Sequence, residues 1–181
     1  DTFREVNPLL QGHEYVKKLG SHDVAKVMLQ RTDVSFEIPI KPYEVSPHSN
    51  LNAFFVKGRK AQNGLINPRH WYEVEVIVPK TVTGQKGYPK AKTEDAVFDV
   101  VTDDGWSFKC KVSGDYSKNF RSEGDLKILG KWLKGRLENA GVLKVGDPVK
   151  KETLERYGRD TFTLTKTSKQ GVWYLDFGVE R

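Results

Sequence analysis

The sequence predicts a mainly β (α+β) fold, a barrel-like sheet with two short helices. Several segments alternate apolar and polar residues at period two, helical periodicity is confined to a few segments, and strands do not alternate regularly with helices. The 181 residues suffice for one domain with its own core. The single cysteine, Cys110, cannot form an internal disulfide, and its position within a strand pattern indicates a core residue in a protein from a reducing compartment.

The first part of the chain carries only weak helical patterns, at 13–19 and 22–30. We interpret residues 1–32 as a linker or N-terminal arm, partly helical, and residues 33–181 as the domain. Because the chain begins with Asp1 rather than Met, we expect it to be a piece of a longer polypeptide.

Six segments carry strand patterns: 34–40, 71–78, 96–102, 106–112, 161–166 and 172–177. The sequence Asp103-Asp104-Gly105 suits a tight turn, so its two flanking segments are predicted to form a hairpin. The apolar spacing over 126–139 predicts a helix with one buried face. A short helix is predicted at 151–157, where Gly158 ends it. Polar loops are expected at 41–70, 81–95 and 114–124.

The formal net charge of +6 is unevenly distributed. Residues 45–72 contain no acid, and neither does the stretch 80–92, which holds four lysines. A third basic group, spread over 118–136, is only partly offset by acids. Three such groups favour a surface that faces the phosphates of a nucleic acid.

Catalytic and metal sites find little support in the sequence. The four histidines are far apart, and no zinc motif, phosphate-binding loop or dinucleotide fingerprint occurs, so no metal or cofactor is expected. A magnesium-dependent nuclease site could use Asp99, Asp103, Asp104 and Lys109, although the aspartates are better explained as turn residues. A protein-interaction barrel with an incidental charge is a further alternative.

Two polar loops carry side chains of the types that form hydrogen bonds with DNA bases. Asn binds adenine through two hydrogen bonds, and Arg and Lys bind guanine. The candidate DNA-binding residues are His48, Ser49, Asn50, Asn52, Lys57, Arg59, Lys60, Asn63, Asn67 and Arg69 in the first loop, and Tyr116, Ser117, Lys118, Asn119, Arg121 and Ser122 in the second.

Aromatic residues divide into two groups. The four tryptophans, at 71, 106, 132 and 173, lie in predicted strands or on the apolar helix face and are expected in the core. Phe54, Phe55 and Phe120 fall in predicted loops, where they could anchor the loop or touch a thymine methyl group.

Several segments resemble a known family. The order of 106–112 (WSFKCKV), 129–134 (LGKWLK) and 143–149 (LKVGDPV) resembles the plant B3 DNA-binding domain. A closer similarity is to the B3-like C-terminal DNA-binding domain of restriction endonucleases whose catalytic half is a phospholipase-D-type nuclease. The segments that carry it are 67–68 (NP), 101–105 (VTDDG), 129–137 (LGKWLKGRL), 154–159 (LERYGR) and 173–177 (WYLDF).

The resemblance implies a seven-stranded open pseudobarrel in which two loops grip the major groove of double-stranded DNA. On this sequence the N-arm falls at 45–69 and the C-arm at 114–125. The family's usual loop reads here as SNLNAFF at 49–55, and 81–95 resembles an insertion. The resemblance also implies a nuclease domain elsewhere in the same polypeptide, dimerisation through that domain and a place in the bacterial cytoplasm.

Overall fold

The computed structural model describes residues 8–55, 59–60, 66–67 and 69–179. The strands are β1 Lys17–Lys18, β2 Arg31–Pro39, β3 Arg59–Lys60, β4 Ile66–Asn67, β5 Val76–Ile77, β6 Val97–Thr102, β7 Trp106–Ser113, β8 Asn119–Ser122, β9 Thr161–Thr167 and β10 Val172–Asp176. The helices are α1 Ser21–Leu29, α2 Lys80–Thr83, α3 Lys127–Asn139 and α4 Lys151–Tyr157.

Eight of these strands form one curled sheet, which is the predicted barrel-like fold. The order along the sheet is β2-β9-β10-β6-β7-β8-β5, and β1 pairs with β7 outside this path. Only the pair of β10 and β6 is parallel among these strands. The remaining two strands, β3 and β4, pair with each other in the N-arm. The mainly β half-barrel with few short helices is therefore confirmed.

Helix α3 packs on the half-barrel with the apolar face that its sequence predicts. The five apolar side chains of its predicted face are fully buried, namely Ile128, Leu129, Trp132, Leu133 and Leu137. Gly130 lies so close to the backbone before β5 that a Cβ atom there would stand 1.6 Å from the carbonyl oxygen of Tyr72. The helix therefore packs directly on the backbone that leads into β5.

The core contains the residues that the sequence assigned to it. All four tryptophans are buried, and so is the Cys110 side chain. The predicted hairpin is present as β6 and β7, with Gly105 at a φ of 94° in the turn. Helix α4 ends at Gly158, whose φ of 101° is the left-handed conformation that glycine tolerates.

Three local predictions were wrong. Residues 13–19 form turns and the strand β1, not a helix, because this segment pairs with the edge of β7. The predicted strand 71–78 is reduced to Val76–Ile77, since α3 packs against the preceding backbone. The predicted loop 114–124 contains β8, which pairs with both β7 and β5.

The N-terminal residues that the structure describes pack on the sheet. Leu10 is buried in the main core, and Val24 of α1 packs with Val101 and Tyr174 on the outer face of β6 and β10. No helix in the described parts of the chain has the length and apolarity needed to cross a membrane.

Candidate nucleic-acid interface

The N-arm and the C-arm are joined at β5. The backbone N–H of Ile77 donates a hydrogen bond of 2.9 Å to Oδ1 of Asn50, at the start of the N-arm. Ile77 also stands opposite Asn119 in the antiparallel pair of β5 and β8, at the end of the C-arm loop. An isolated bridge between Asn50 and Glu75 strengthens the same joint. The two arms therefore leave the same edge of the sheet, and the points where they leave it are held together.

Asn50 and Asn52 hold the N-arm in place and do not face solvent. Both side chains are fully buried. Asn52 donates to the carbonyl oxygen of Val149 at 3.1 Å and accepts from the N–H of Val149 at 2.7 Å. Both amide atoms of Asn52 and Oδ1 of Asn50 are therefore occupied by the backbone, while Nδ2 of Asn50 is buried without a hydrogen-bond partner among the described residues. Contact of these two asparagines with bases stays a prediction.

Three further N-arm candidates differ in their exposure and contacts. His48 is exposed, while Ser49 is half-buried and hydrogen-bonded to Ser46. Arg69 is half-buried, and its Nε lies 3.4 Å from a carboxylate oxygen of Glu73.

The outer part of the N-arm is described only at its two short strands. Arg59 stands opposite Asn67, and Lys60 opposite Ile66, in the pair of β3 and β4. Lys57 and Asn63 lie outside the described residues. A two-stranded ribbon has the width that the major groove accepts.

The C-arm presents Tyr116 and Lys118 at its surface. Tyr116 is 69% exposed and has a φ of 60°, in the left-handed region that is unusual for tyrosine. Ser117, at a φ of 57°, is buried because its Oγ accepts a 2.8 Å hydrogen bond from the N–H of Ala91. Neighbouring contacts thus hold the loop in a conformation that projects Tyr116 outward.

Ser122 anchors the end of the C-arm to α3. Its hydroxyl donates to the carbonyl oxygen of Asp125 at 2.6 Å and accepts from the N–H of Leu129 at 3.1 Å. The side chain is fully buried. Ser117 and Ser122 therefore position the loop through hydrogen bonds within the protein, and their contact with DNA stays a prediction.

Arg121, a candidate from the sequence, pairs with Lys111, a cation that sequence reasoning missed. They stand directly opposite each other on β7 and β8, and both are half-buried. Like charges at opposite positions destabilise a sheet, and an anion between them removes that cost. The Nε atom of Arg121 is buried without a hydrogen-bond partner among the described residues. The alternation of β7, which places Lys109 and Lys111 on its outer face, was the signal that could have found this pair.

Comparison with known proteins places this chain in a family. The model of the NgoFVII C-terminal B3-like DNA-binding domain matches residues 26–168. The chain belongs to this family. The match covers both arms, all of the main sheet except β1 and β10, and helices α3 and α4. The family is one of DNA-binding domains and describes no catalytic domain. No curated protein gives a significant match to the chain.

The ambiguous aromatic residues of this B3-like domain are anchors. Phe54 and Phe55 are half-buried and meet edge to face, with ring centroids 5.2 Å apart. Tyr43 packs on Phe55 in the same way, at 5.6 Å. Phe120 is fully buried in the core. Edge-to-face packing is favourable for such rings, so the segment before the outer N-arm is fixed by aromatic contacts.

Two carboxylates of the alternative nuclease site, those of Asp103 and Asp104, belong to a structural network. Arg136 binds Asp103 through two hydrogen bonds of 2.8 and 3.0 Å. Oδ1 of Asp104 accepts from Trp132 at 2.8 Å and from Thr102 at 2.6 Å. Burial disfavours the charged form of Arg136, but Asp103 and Asp104 outweigh that effect and raise its pKa. The pair therefore fixes the β6–β7 turn against α3.

The other two residues of that alternative lie elsewhere on the hairpin. Asp99 stands opposite Lys109 in the pair of β6 and β7, several positions from the turn. Within the described ranges, no group of three or more side chains could hold a metal ion. The structure thus does not bring the four nuclease candidates together.

Proposed function

We propose that this B3-like domain recognises a specific sequence of double-stranded DNA through the major groove. The N-arm and C-arm would enter the groove together, and the domain would select the target of a restriction endonuclease. The observation that carries this proposal is the pair of contacts at Ile77, which hold the start of the N-arm and the end of the C-arm loop at one sheet edge. Two arms fixed at one edge can contact neighbouring bases without a further ordering step, which lowers the entropic cost of binding.

The candidates whose side chains are exposed, half-buried or undescribed make up the proposed contact set. They are His48, Ser49, Lys57, Arg59, Lys60, Asn63, Asn67, Arg69, Tyr116, Lys118, Asn119 and Arg121. The arginines and asparagines supply the paired donors and acceptors that distinguish guanine and adenine. The lysines bind phosphates, which orient the protein on the duplex without specifying sequence.

Strand cleavage is assigned to a nuclease domain of the same polypeptide, and dimerisation to contacts of that domain. The family match supports this division, because it describes a C-terminal DNA-binding domain. The occupied carboxylates of Asp103 and Asp104 also support it, since they are bound to Arg136 and to neighbouring donors.

Selection of bound duplexes from a random pool tests the proposal. We expect one sequence to be enriched, and its affinity to exceed that of a scrambled duplex by about 10³-fold or more. Affinity for both should fall steeply with salt, because counterions are released from the DNA. Equal affinity for the selected and scrambled duplexes would overturn sequence-specific recognition. In a second experiment, the protein is incubated with plasmid and Mg²⁺. Cleavage of the plasmid by this chain would overturn the assignment of strand cleavage to another domain.

A further inference from the structure

Residues 80–92, which we call the lysine segment, leave the sheet between β5 and β6. One side of the segment is anchored in the core. Val82 and Tyr88 are buried, and the Tyr88 ring meets Phe36 edge to face at 5.2 Å. The buried side chains fix the position of the segment, so its exposed side chains project from a supported surface.

The lysine segment supports the C-arm from beside it. Nζ of Lys80 lies 3.9 Å from the centroid of the Tyr116 ring. The N–H of Ala91 donates to Oγ of Ser117, which holds the unusual conformation of the C-arm loop. Just before the segment, the N–H of Val78 donates to the carbonyl oxygen of Lys118 at 2.7 Å. A molecule bound to the C-arm therefore lies next to the lysine segment.

The charge of the segment is of one sign and faces solvent. Its four lysines, Lys80, Lys86, Lys90 and Lys92, are all exposed, and no acid lies between the first and the last. The nearest acids in sequence are Glu75 before the segment and Glu94 and Asp95 after it, so the four lysines leave a small positive excess.

Two of these lysines have intramolecular roles, and the described part of the chain gives no such role to the other two. Lys80 covers Tyr116, and Lys90 donates to the carbonyl oxygen of Thr83 at 2.7 Å. Lys86 and Lys92 make no hydrogen bond or ion pair with any residue that the structure describes. Lys92 is also held at a φ of 65°. A fixed row of like charges raises the energy of the free protein, and a polyanion beside it lowers that energy.

We propose that the lysine segment is a third DNA-contacting element, which binds backbone phosphates of the duplex beside the recognised sequence, on the C-arm side. The inference rests on the proposed function, because the C-arm must lie on DNA for the segment to reach the flank. Lys86 and Lys92 contact phosphates, while Lys80 and Lys90 hold the segment and the C-arm together. The segment adds affinity and extends the footprint, but it does not read bases.

The test compares two double variants of the full chain. Lys86→Ala with Lys92→Ala removes the two unpaired charges of the segment. The control, Lys26→Ala with Lys169→Ala, removes two exposed charges beside α1, on the groove that α1 forms with the outer face of β6 and β7. Each protein is titrated with two duplexes that carry the sequence selected from the random pool. One duplex ends at that sequence, and the other continues for about one helical turn, about 10 base pairs, on each side.

On the long duplex, we expect the Lys86/Lys92 variant to reduce the slope of log affinity against log salt by about 2, close to 0.9 for each lost phosphate contact. On the short duplex it should match the wild type, and the ratio of selected to scrambled affinity should stay unchanged. The control variant should keep the wild-type slope on both duplexes.

Four results would overturn one or both proposals, and they can be told apart. Equal slopes for the two double variants on the long duplex would show that the segment does not contact DNA. Equal losses on the short and long duplexes would place its contacts within the recognised sequence. If the wild type prefers no sequence but the slope still falls only for the Lys86/Lys92 variant, the inference stands and sequence-specific recognition fails. Absence of any DNA binding by the wild type would overturn both.

Discussion

Asn52 and Val149, 97 positions apart, exchange two hydrogen bonds. The side-chain amide of Asn52 thereby replaces the backbone of a neighbouring strand and satisfies both polar groups of Val149. The contact fixes the first part of the N-arm to the segment just before α4. Asn52, whose residue type and position favoured recognition of a DNA base, therefore connects two distant segments of the protein.

Replacement of Asn52 by Ala should destabilise the domain by about 1–3 kcal/mol, because it leaves the N–H of Val149 buried and unpaired. The carbonyl oxygen of Val149 keeps its second hydrogen bond, which the N–H of Tyr43 donates at 2.7 Å. Urea denaturation measures the change, and Asn119→Ala, on the half-buried outer face of β8, is the control, with a loss of less than about 1 kcal/mol. The folded Asn52→Ala protein should keep the base preference of the wild type. A changed preference with unchanged stability would contradict the structural role.

Gly130 makes the tight contact of α3 with the backbone before β5. An alanine Cβ would lie 1.6 Å from the carbonyl oxygen of Tyr72, which no side-chain movement can relieve. Gly130→Ala should therefore cost about 3 kcal/mol, despite the higher helix propensity of alanine. Gly20→Ala is the control for a Cβ without a clash, since a Cβ there meets no atom within 4 Å; because Gly20 is the N-cap of α1, this change should cost only about 1 kcal/mol. Thermal unfolding of both variants checks this, and equal melting temperatures would refute the close contact.

Lys134 is fully buried, and this makes stability depend on pH. Its Nζ donates to the carbonyl oxygen of Trp71 and lies 4.2 Å from the centre of the Trp71 ring. Burial lowers the pKa of Lys134 to about 7, against the opposing effect of Glu138. An unfolded lysine keeps its proton up to a pKa of about 10.4. Between these two values the unfolded chain binds more protons, so the free energy of unfolding due to this group rises with pH.

We expect Lys134→Met to remove that pH dependence. The contribution of Lys134 can reach about 1.4 kcal/mol for each pH unit and stays at its minimum below the folded pKa. Urea denaturation between about pH 7 and pH 9, below the range where tyrosines ionise, compares wild type and variant. The variant should show a shallower increase of stability with pH. Parallel curves would show that Lys134 keeps its proton in the folded protein.

Arg121 and Lys118 should differ in what they contribute to DNA binding. Arg121→Ala should cost about 1–3 kcal/mol on the selected duplex and relax the preference at one position, whereas Lys118→Ala should weaken binding to all duplexes about equally. Arg121→Lys keeps the charge but loses the planar fork, so it should bind scrambled duplexes normally and still lose preference. Competition binding on selected and single-substituted duplexes measures these effects. A uniform loss for Arg121→Ala would instead make it a phosphate contact.

Some features follow from the sequence because local patterns specify them. The turn at Gly105 and the end of α4 at Gly158 need a positive φ, and glycine at those positions predicts them. The buried face of α3 follows from the spacing of its apolar residues, and the family resemblance of the chain is confirmed by the match over residues 26–168.

Other features were decided by contacts between distant parts of the chain. The sequence alone determined the class of fold, the hairpin, the main helix and the basic character of two loops, since these depend on neighbours a few residues apart. The tertiary structure decided that Asn50, Asn52, Ser117 and Ser122 face inward and that Lys111 stands beside Arg121. A polar side chain can satisfy a buried backbone group or face a ligand with the same atoms, and only the position of its partner, as with Asn52 and Val149, distinguishes the two.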